Sequence, residues 1–161
     1  MKVFFQASHI QREKYEQYYH RIYKALKSGN YVVLSDEVIS VSEKKYYLQV
    51  EEGNKKVLQK LYEDDIHKIE DADINIFEVS VPSIGIGYLI EHSLQANKPT
   101  IVLYLEGNPV YFLLGSDNER LIVSSYNDKS LESMINNSLI LAREARDKRF
   151  NFNNKGEKSR A

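Results

Sequence analysis

Residues 73–105 read DINIFEVSVPSIGIGYLIEHSLQANKPTIVLYL, and this stretch decides the fold. Its first part, residues 73–79, contains Ile74, Ile76, Phe77 and Val79, and such β-branched and aromatic side chains predict a strand. A helix is expected over residues 85–96, closed by the stop signal Asn97-Lys98-Pro99. The continuous apolar run at residues 100–105 is typical of a strand that is covered on both faces. Strand, helix and strand in this order predict a parallel βαβ unit.

The rest of the chain alternates in the same way. The further elements we expect are strands at 3–5, 31–34 and 120–123 and helices at 11–27, 54–69 and 128–146. Residues 35–50 are ambiguous, since Tyr46-Tyr47-Leu48 suits either a short strand or a loop over the site. The alternation predicts an α/β fold, with a five-stranded parallel sheet and helices on both faces.

Two of the predicted helices carry apolar stripes at helical spacing. The stripe of the first helix is Tyr15, Tyr18, Ile22 and Leu26, and that of the second is Val57, Leu58, Leu61, Ile66 and Ile69. Both stripes predict faces that pack against the sheet.

Length and composition limit the class of protein. The chain has 161 residues, which suits one domain with a core around a sheet. It has no cysteine, which excludes disulfides, a thiolate metal site and a cysteine nucleophile. Its 22 basic and 23 acidic residues give a net charge of −1, so no overall field favours nucleic acid. The N-terminal apolar run is too short for a signal peptide or a membrane span, so we expect a cytoplasmic protein with no membrane partner.

The C-terminal end differs in composition from the rest. We expect one domain at residues 1–147, followed by a polar, basic tail at residues 148–161. The tail is either a frayed, solvated end or the start of a further element, because Arg149–Phe152 alternates like a strand.

The turn at Ser83-Ile84-Gly85-Ile86-Gly87 follows a predicted strand and opens a predicted helix. Glycines let a ligand approach the backbone, and the free N–H groups of a helix start attract an anion. The Ser83 hydroxyl is a further donor for a phosphate. The competing interpretation is a tight turn with close helix–sheet packing, and the spacing does not separate the two.

Residues 72–88, continuing to residues 97–99, resemble the nucleoside 2-deoxyribosyltransferase superfamily. They are most similar to its branch of 2'-deoxynucleoside 5'-monophosphate N-hydrolases. Residues 4–8 resemble the family's first strand and small-residue turn, and residues 62–66 resemble its acidic helix. The resemblance, which extends from Val3 to about Leu131, implies a flavodoxin-like, doubly wound sheet, a homodimer and a nucleoside or nucleotide ligand.

The resemblance also implies chemistry at the N-glycosidic bond between a base and a deoxyribose. Such chemistry needs a carboxylate near the anomeric carbon and a second acid for the departing base. In the family the key Glu directly follows the aromatic residue of Gly-x-Gly-Tyr, and here that position is Leu89. Glu91 is two helical steps further and should face away from the pocket. Near the place of a phosphate-binding Ser stands Tyr111, and His9-Ile10-Gln11 replaces a glycine-rich loop.

Glu78, at the end of the central strand, is the best remaining candidate for a catalytic carboxylate. Its alternative is a structural carboxylate that holds the following loop through backbone N–H bonds. Asp36 and Glu37 come next, whereas Asp65 and Asp73 suit helix and loop contacts better than catalysis. No cofactor is implied, and no histidine pair has metal-ligand spacing, so we expect no metal site. The candidate ligand-binding residues are Ala7, Ser8, His9, Ser83, Ile84, Gly85, Ile86, Gly87, Tyr88 and Leu89.

Three functions remain open on the sequence. The first is a nucleotide-binding protein that has lost or altered the N-glycosidase activity, as Leu89 indicates. The second is an active N-glycosidase or deoxyribosyltransferase that uses Glu78. The third is an interaction module without a ligand, in which Tyr18, Tyr19 and Tyr23 form an interface instead of core and dimer contacts.

Overall fold

A computed structural model describes residues 1–40, 48, 55–108 and 110–158, with the backbone alone for residues 148–158. Five parallel strands form one sheet in the order β2-β1-β3-β4-β5. This order is that of flavodoxin-like sheets, and the predicted fold class is confirmed. The strands are β1 (Lys2–Ala7), β2 (Val32–Val33), β3 (Ile74–Glu78), β4 (Thr100–Leu105) and β5 (Leu121–Tyr126).

The described helices largely follow the predicted positions. They are α1 (Arg12–Ser28), α2 (Glu37–Ser40), α3 (Lys55–Asp71), α4 (Ile84–Gln95), α5 (Tyr111–Leu114) and α6 (Leu131–Lys158). The short helices α2 and α5 were not predicted, because a single turn carries too little periodicity to be recognised.

Helix α6 corrects the prediction for the C-terminal end. It continues to Lys158 instead of ending near Arg146, so the strand interpretation of residues 149–152 is wrong. No proline interrupts residues 131–158, and Lys and Arg favour a helix, which explains the extension. The ambiguous Tyr46 and Tyr47 lie outside the described residues.

Two apolar layers cover the sheet, one on each face. On β1, Val3 and Phe5 belong to the layer under α1 and α6, and Phe4 belongs to the layer under α3 and α4. This alternation follows from the two-residue period of a strand. The central strands β1 and β3 are therefore buried on both faces. The carboxyl ends of the strands are the place where side chains can reach a ligand.

The tyrosines of α1 belong mainly to the core. Tyr18 and Tyr19 are buried, so their proposed role in an interface is wrong: both rings fill the layer between α1 and the sheet. Tyr23 packs at the edge of that layer, and its hydroxyl donates to Asp36 Oδ1 over 2.5 Å. Helical spacing alone predicted an apolar face for α1, which is confirmed.

The apolar stripe of α3 is only partly buried. Ile69 lies in the core and Ile66 packs against it, as predicted. Val57, Leu58 and Leu61 are exposed, contrary to the prediction. Periodicity identifies an apolar face but does not say how far along the helix a neighbour covers it.

No described helix combines the length and the apolar character needed to cross a membrane. The structure contains one chain, so the homodimer remains a prediction, as does the cytoplasmic location.

Ile76, at the centre of β3, provides a test of the layer under α1. We expect Ile76→Ala to lower the free energy of unfolding by about 2–5 kcal/mol, because the fully buried side chain leaves a cavity that cannot collapse. Urea unfolding measures the change. Ile140→Ala, at a side chain that is 53% exposed on α6, is the control and should change stability by less than about 0.5 kcal/mol. Equal effects of the two variants would contradict the packing described above.

Candidate functional site

A cavity of about 520 Å³ opens at the carboxyl ends of β3 and β4. Its walls come from the loop after β3, the first turns of α4, Tyr15 of α1, and Asn108, Val110 and Leu113. The lining residues are Tyr15, Val79, Ser80, Pro82, Ser83, Ile86, Gly87, Ile90, Asn108, Val110 and Leu113. The wall is apolar with a few polar groups, as is usual for sites that bind small molecules.

Ser83 caps α4 at the edge of this cavity. Its Oγ accepts a bond from the N–H of Ile86 over 3.4 Å, and its carbonyl oxygen accepts from the N–H of Gly87 over 3.0 Å. The hydroxyl proton of Ser83 is therefore not used in the cap. The first N–H groups of a helix have no acceptor within the helix, so this end of α4 presents donors and a partial positive charge.

The glycines of the turn do not serve close packing. A Cβ added at Gly87 would meet no atom within 4 Å, and one at Gly85 would meet only Ser83 Oγ, at 3.8 Å. Both residues are exposed, and neither has a positive φ. Of the two interpretations of the turn, open access for a ligand fits these observations, and close helix–sheet packing does not.

Three polar residues line the cavity together and were not among the predicted site residues. Asn108 Nδ2 donates to Tyr15 Oη and to the carbonyl oxygen of Ser80, each over 3.1 Å. Tyr15 had been assigned only to the core stripe of α1. The amphipathic character of a tyrosine, and the place of Asn108 just after a strand's carboxyl end, were the signals available.

Glu78 is the buried centre of a hydrogen-bond network. Its side chain is 0% exposed, and Oε1 accepts from the Tyr126 hydroxyl over 2.8 Å, from the Ser80 N–H over 3.2 Å and from the Ser80 hydroxyl. Burial raises the pKa of Glu78 above its ordinary value of 4.5, although these bonds act in the opposite direction. Glu78 is not one of the residues that line the cavity. This placement agrees with the structural alternative, in which the carboxylate holds the loop.

Leu89 lies in the apolar layer under α4. It is only 8% exposed and belongs to the same cluster as Phe4 and Phe77. Its neighbours Ile86 and Ile90 line the cavity, but Leu89 itself is not among the lining residues. Tyr88, one step earlier, is half-exposed and shares a hydrogen bond with the Tyr62 hydroxyl over 2.9 Å. Ile84 is 96% exposed at the first turn of α4.

The predicted site residues at the end of β1 and just after it, Ala7, Ser8 and His9, do not line the cavity. Ala7 pairs with Glu78 in the sheet, and Ser8 is buried, with its carbonyl oxygen accepting from the Tyr19 hydroxyl over 3.2 Å. Burial, with the nearby Arg12 charge, lowers the pKa of His9 to about 4. His9 is therefore neutral at physiological pH.

Asp65, on α3, is a further carboxylate with an altered pKa. Burial raises its pKa to about 6, opposed by Lys68 and by a bond from Gln6 Nε2 over 3.3 Å. The other acidic candidates have structural partners: Asp36 binds Tyr23, Glu37 pairs with Lys68 at 2.5 Å, and Asp73 accepts from the N–H of Lys2 over 2.8 Å. In the described part of the chain, no group of three or more His, Asp or Glu side chains could hold a metal ion.

The sequence is similar to those of known proteins. A protein of Thermofilum pendens, named as a candidate 2'-deoxynucleoside 5'-phosphate N-hydrolase 1, is 32% identical over 119 residues, which cover 71% of this chain and 78% of the relative. A protein of the same name from Syntrophotalea carbinolica is 32% identical over 66% of this chain and 70% of its own length. No protein-family model matches the chain.

A solved structure supports the fold. The CMP N-glycosidase of Clostridium botulinum superposes with a TM-score of 0.59 at 19% identity, covering 88% of this chain and 99% of that protein.

The buried carboxyl group of Glu78 provides a pH test. Because its pKa is raised, the folded protein keeps this proton to higher pH than the unfolded chain does. As the pH rises above 4.5, the unfolded chain releases the proton first, and the free energy of unfolding falls. Glutamine retains an oxygen acceptor for Tyr126 and Ser80 but cannot ionise. We therefore expect Glu78→Gln to lose less stability than the wild type over this rise, in urea unfolding at a series of pH values.

The control for this test is Glu91→Gln, at an exposed glutamate of α4. It should follow the pH dependence of the wild type. Parallel curves for Glu78→Gln and the wild type would contradict a raised pKa at Glu78.

Leu89 provides a test of the layer under α4. We expect Leu89→Glu to lower the free energy of unfolding by about 2–4 kcal/mol, because a carboxylate would replace an isobutyl group between apolar side chains. Leu89→Met is the matched control and should cost less than about 1.5 kcal/mol. Thermal unfolding measures both variants. Unchanged stability of Leu89→Glu, together with release of a free base from a deoxynucleotide, would show that position 89 opens onto the ligand instead.

Proposed function

Since the chain belongs to the 2'-deoxynucleoside 5'-phosphate N-hydrolase family, we propose that it binds a nucleoside 5'-monophosphate at the start of α4. We further propose that it has lost, or altered, the family's cleavage of the N-glycosidic bond. The names of the relatives indicate the class of ligand, and the cavity beside Ser83 is large enough to be considered as its binding site.

The composition of the cavity wall carries this proposal. Among the described residues that line it, none has a carboxylate. Cleavage through an oxocarbenium-like transition state needs a carboxylate within reach of the anomeric carbon, and its loss removes several kcal/mol of stabilisation. Leu89, which the resemblance places at the family's key Glu, is packed among apolar side chains. Glu78 is fully buried and bonded to Ser80 and Tyr126.

The start of α4 suits the phosphate group. The Ser83 hydroxyl and the first N–H groups of α4 are donors, and the helix dipole favours an anion there. Gly85 and Gly87 leave the backbone open, since neither position has a neighbour that a side chain would meet closely. The cavity lining contains no lysine or arginine among the described residues, so neutral donors would carry the recognition of phosphate.

The second candidate function is an N-glycosidase that is still active through other residues. Asp65 favours it, because an acid with a pKa of about 6 is partly protonated at neutral pH and suits general acid catalysis. Asp65 is partly buried on α3, next to Gln6 at the end of β1. Asp65 is not among the residues that line the cavity, so in this alternative the base would have to extend from the cavity towards α3 for Asp65 to protonate it.

One pair of measurements separates the two candidates. The purified protein is titrated by calorimetry with the 2'-deoxynucleoside 5'-monophosphates of adenine, guanine, cytosine and thymine and with the corresponding nucleosides. The same mixtures are then analysed by chromatography for free base. We expect saturable binding that requires the 5'-phosphate, and no release of base.

A second result would replace the proposal with the active enzyme. That result is release of base by the wild type that disappears in Asp65→Asn or in Glu78→Gln. Absence of binding by every nucleotide would reject both candidates and favour an interaction module without a ligand.

A further inference from the structure

The hydrogen bonds around Asn108 determine what its amide can offer a ligand. Both amide hydrogens have acceptors, one at Tyr15 Oη and one at the Ser80 carbonyl oxygen, each 3.1 Å from Nδ2. The reversed orientation would place Oδ1 against the Ser80 carbonyl oxygen, so that two acceptors faced each other. The amide therefore presents Oδ1, an acceptor, to any further partner.

The Tyr15 hydroxyl has the complementary role. It accepts the bond from Asn108, so its own proton is directed to something other than this amide. The side chain is 4% exposed and lines the cavity from α1. Because both residues line one cavity and are bonded to each other, a donor and an acceptor stand side by side in its wall.

This pair does not suit a phosphate. At neutral pH a phosphate monoester is mainly a dianion whose oxygens accept hydrogen bonds, and the Asn108 Oδ1 dipole would repel its charge. A hydroxyl group both accepts and donates, so it can accept from Tyr15 and donate to Asn108 at once. The start of α4, where the Ser83 hydroxyl proton and the first N–H groups of the helix are donors, is the better place for the anion.

We propose that Tyr15 and Asn108 form a subsite that binds a sugar hydroxyl of the nucleotide. The proposal rests on the nucleotide-binding function stated above and adds the residues that read the sugar. The Ser80 carbonyl oxygen orients the Asn108 amide, and Asn108 orients the Tyr15 hydroxyl. The subsite thus distinguishes nucleotides by their sugar hydroxyls, while α4 recognises the phosphate they share.

The subsite is tested by measuring how tightly the wild type and one variant bind ligands that differ only in their sugar hydroxyls. The ligands are the ribose, 2'-deoxyribose and 2',3'-dideoxyribose 5'-monophosphates of whichever base the wild type binds most tightly, and the variant is Tyr15→Phe. For the wild type, loss of the bound hydroxyl should weaken binding about five-fold, the usual effect of one neutral hydrogen bond. For Tyr15→Phe, the hydroxyl keeps its bond to Asn108 but loses the bond from Tyr15, so the ratio between the ligands should fall to about two-fold.

Tyr23→Phe is the matched control. It removes a hydrogen-bonded hydroxyl from the same helix, at a residue outside the cavity lining. It should keep the ligand preference of the wild type. The melting temperature of each variant shows that the fold is retained, and if the protein proves to cleave its ligand, the same ratios are taken from kcat/KM.

The outcomes separate this proposal from the one on which it rests. If the wild type binds nucleotides and Tyr15→Phe keeps the wild-type ratio between ligands, the subsite is rejected and nucleotide binding stands. If the wild type binds every sugar form equally, the subsite is likewise rejected. If the wild type binds no nucleotide, the nucleotide-binding function itself is rejected.

Discussion

The carboxyl group of Glu78 joins the ends of three strands around the candidate site. Its Oε1 accepts from Tyr126 at the end of β5 and from Ser80 just after β3. Ser80 Oγ in turn accepts from the N–H of Leu105 at the end of β4, over 2.7 Å. A polar group buried on this scale is stable only when it is hydrogen-bonded. These bonds hold the loop after β3, and with it Ser80, which lines the cavity.

This network gives the wall of the cavity its chemical character. Ser80, held by Glu78, presents its carbonyl oxygen to Asn108, and Asn108 bonds to Tyr15. The carboxyl group of Glu78 thus contacts the residue that orients Asn108 and does not itself line the cavity. Ser83, which lines the same cavity, caps the start of α4. The proposals above assign the anion to this helix start and a sugar hydroxyl to Tyr15 and Asn108.

Membership of an enzyme family does not by itself decide activity, because activity depends on a few side chains at a site. The sheet, the turn before α4 and the helix itself are all present in this chain. Leu89 is part of the apolar layer that holds α4 on the sheet, together with Phe77 and Ile86. Leu89 adds apolar packing at this position. A carboxylate at the same place would need water or a charged partner. The framework and the chemistry of the site can therefore change independently.

The sequence by itself determined the α/β class, the parallel sheet and the glycine turn at the start of α4. Each follows from local patterns: apolar runs of strand length, helical spacing, and glycines between them. The same patterns correctly placed Ile22 and Ile69 in the core, because a helix with one buried face has apolar residues at helical spacing. They failed for Leu58 and Leu61, whose exposure depends on where a neighbouring element ends.

Only the tertiary structure decided which side chains meet at the site. Tyr15 and Asn108 are bonded although they are 93 residues apart in the chain. They meet because α1 packs against the sheet that contains β4, in a position that brings the two residues together. No pattern of residues close in sequence predicts such a contact. The same holds for Glu78, whose role followed from complete burial and from Tyr126, 48 residues later. Secondary structure depends mainly on residues that are close in sequence, so it could be predicted. The site depends on contacts between residues that are far apart in sequence, so only the tertiary structure revealed it.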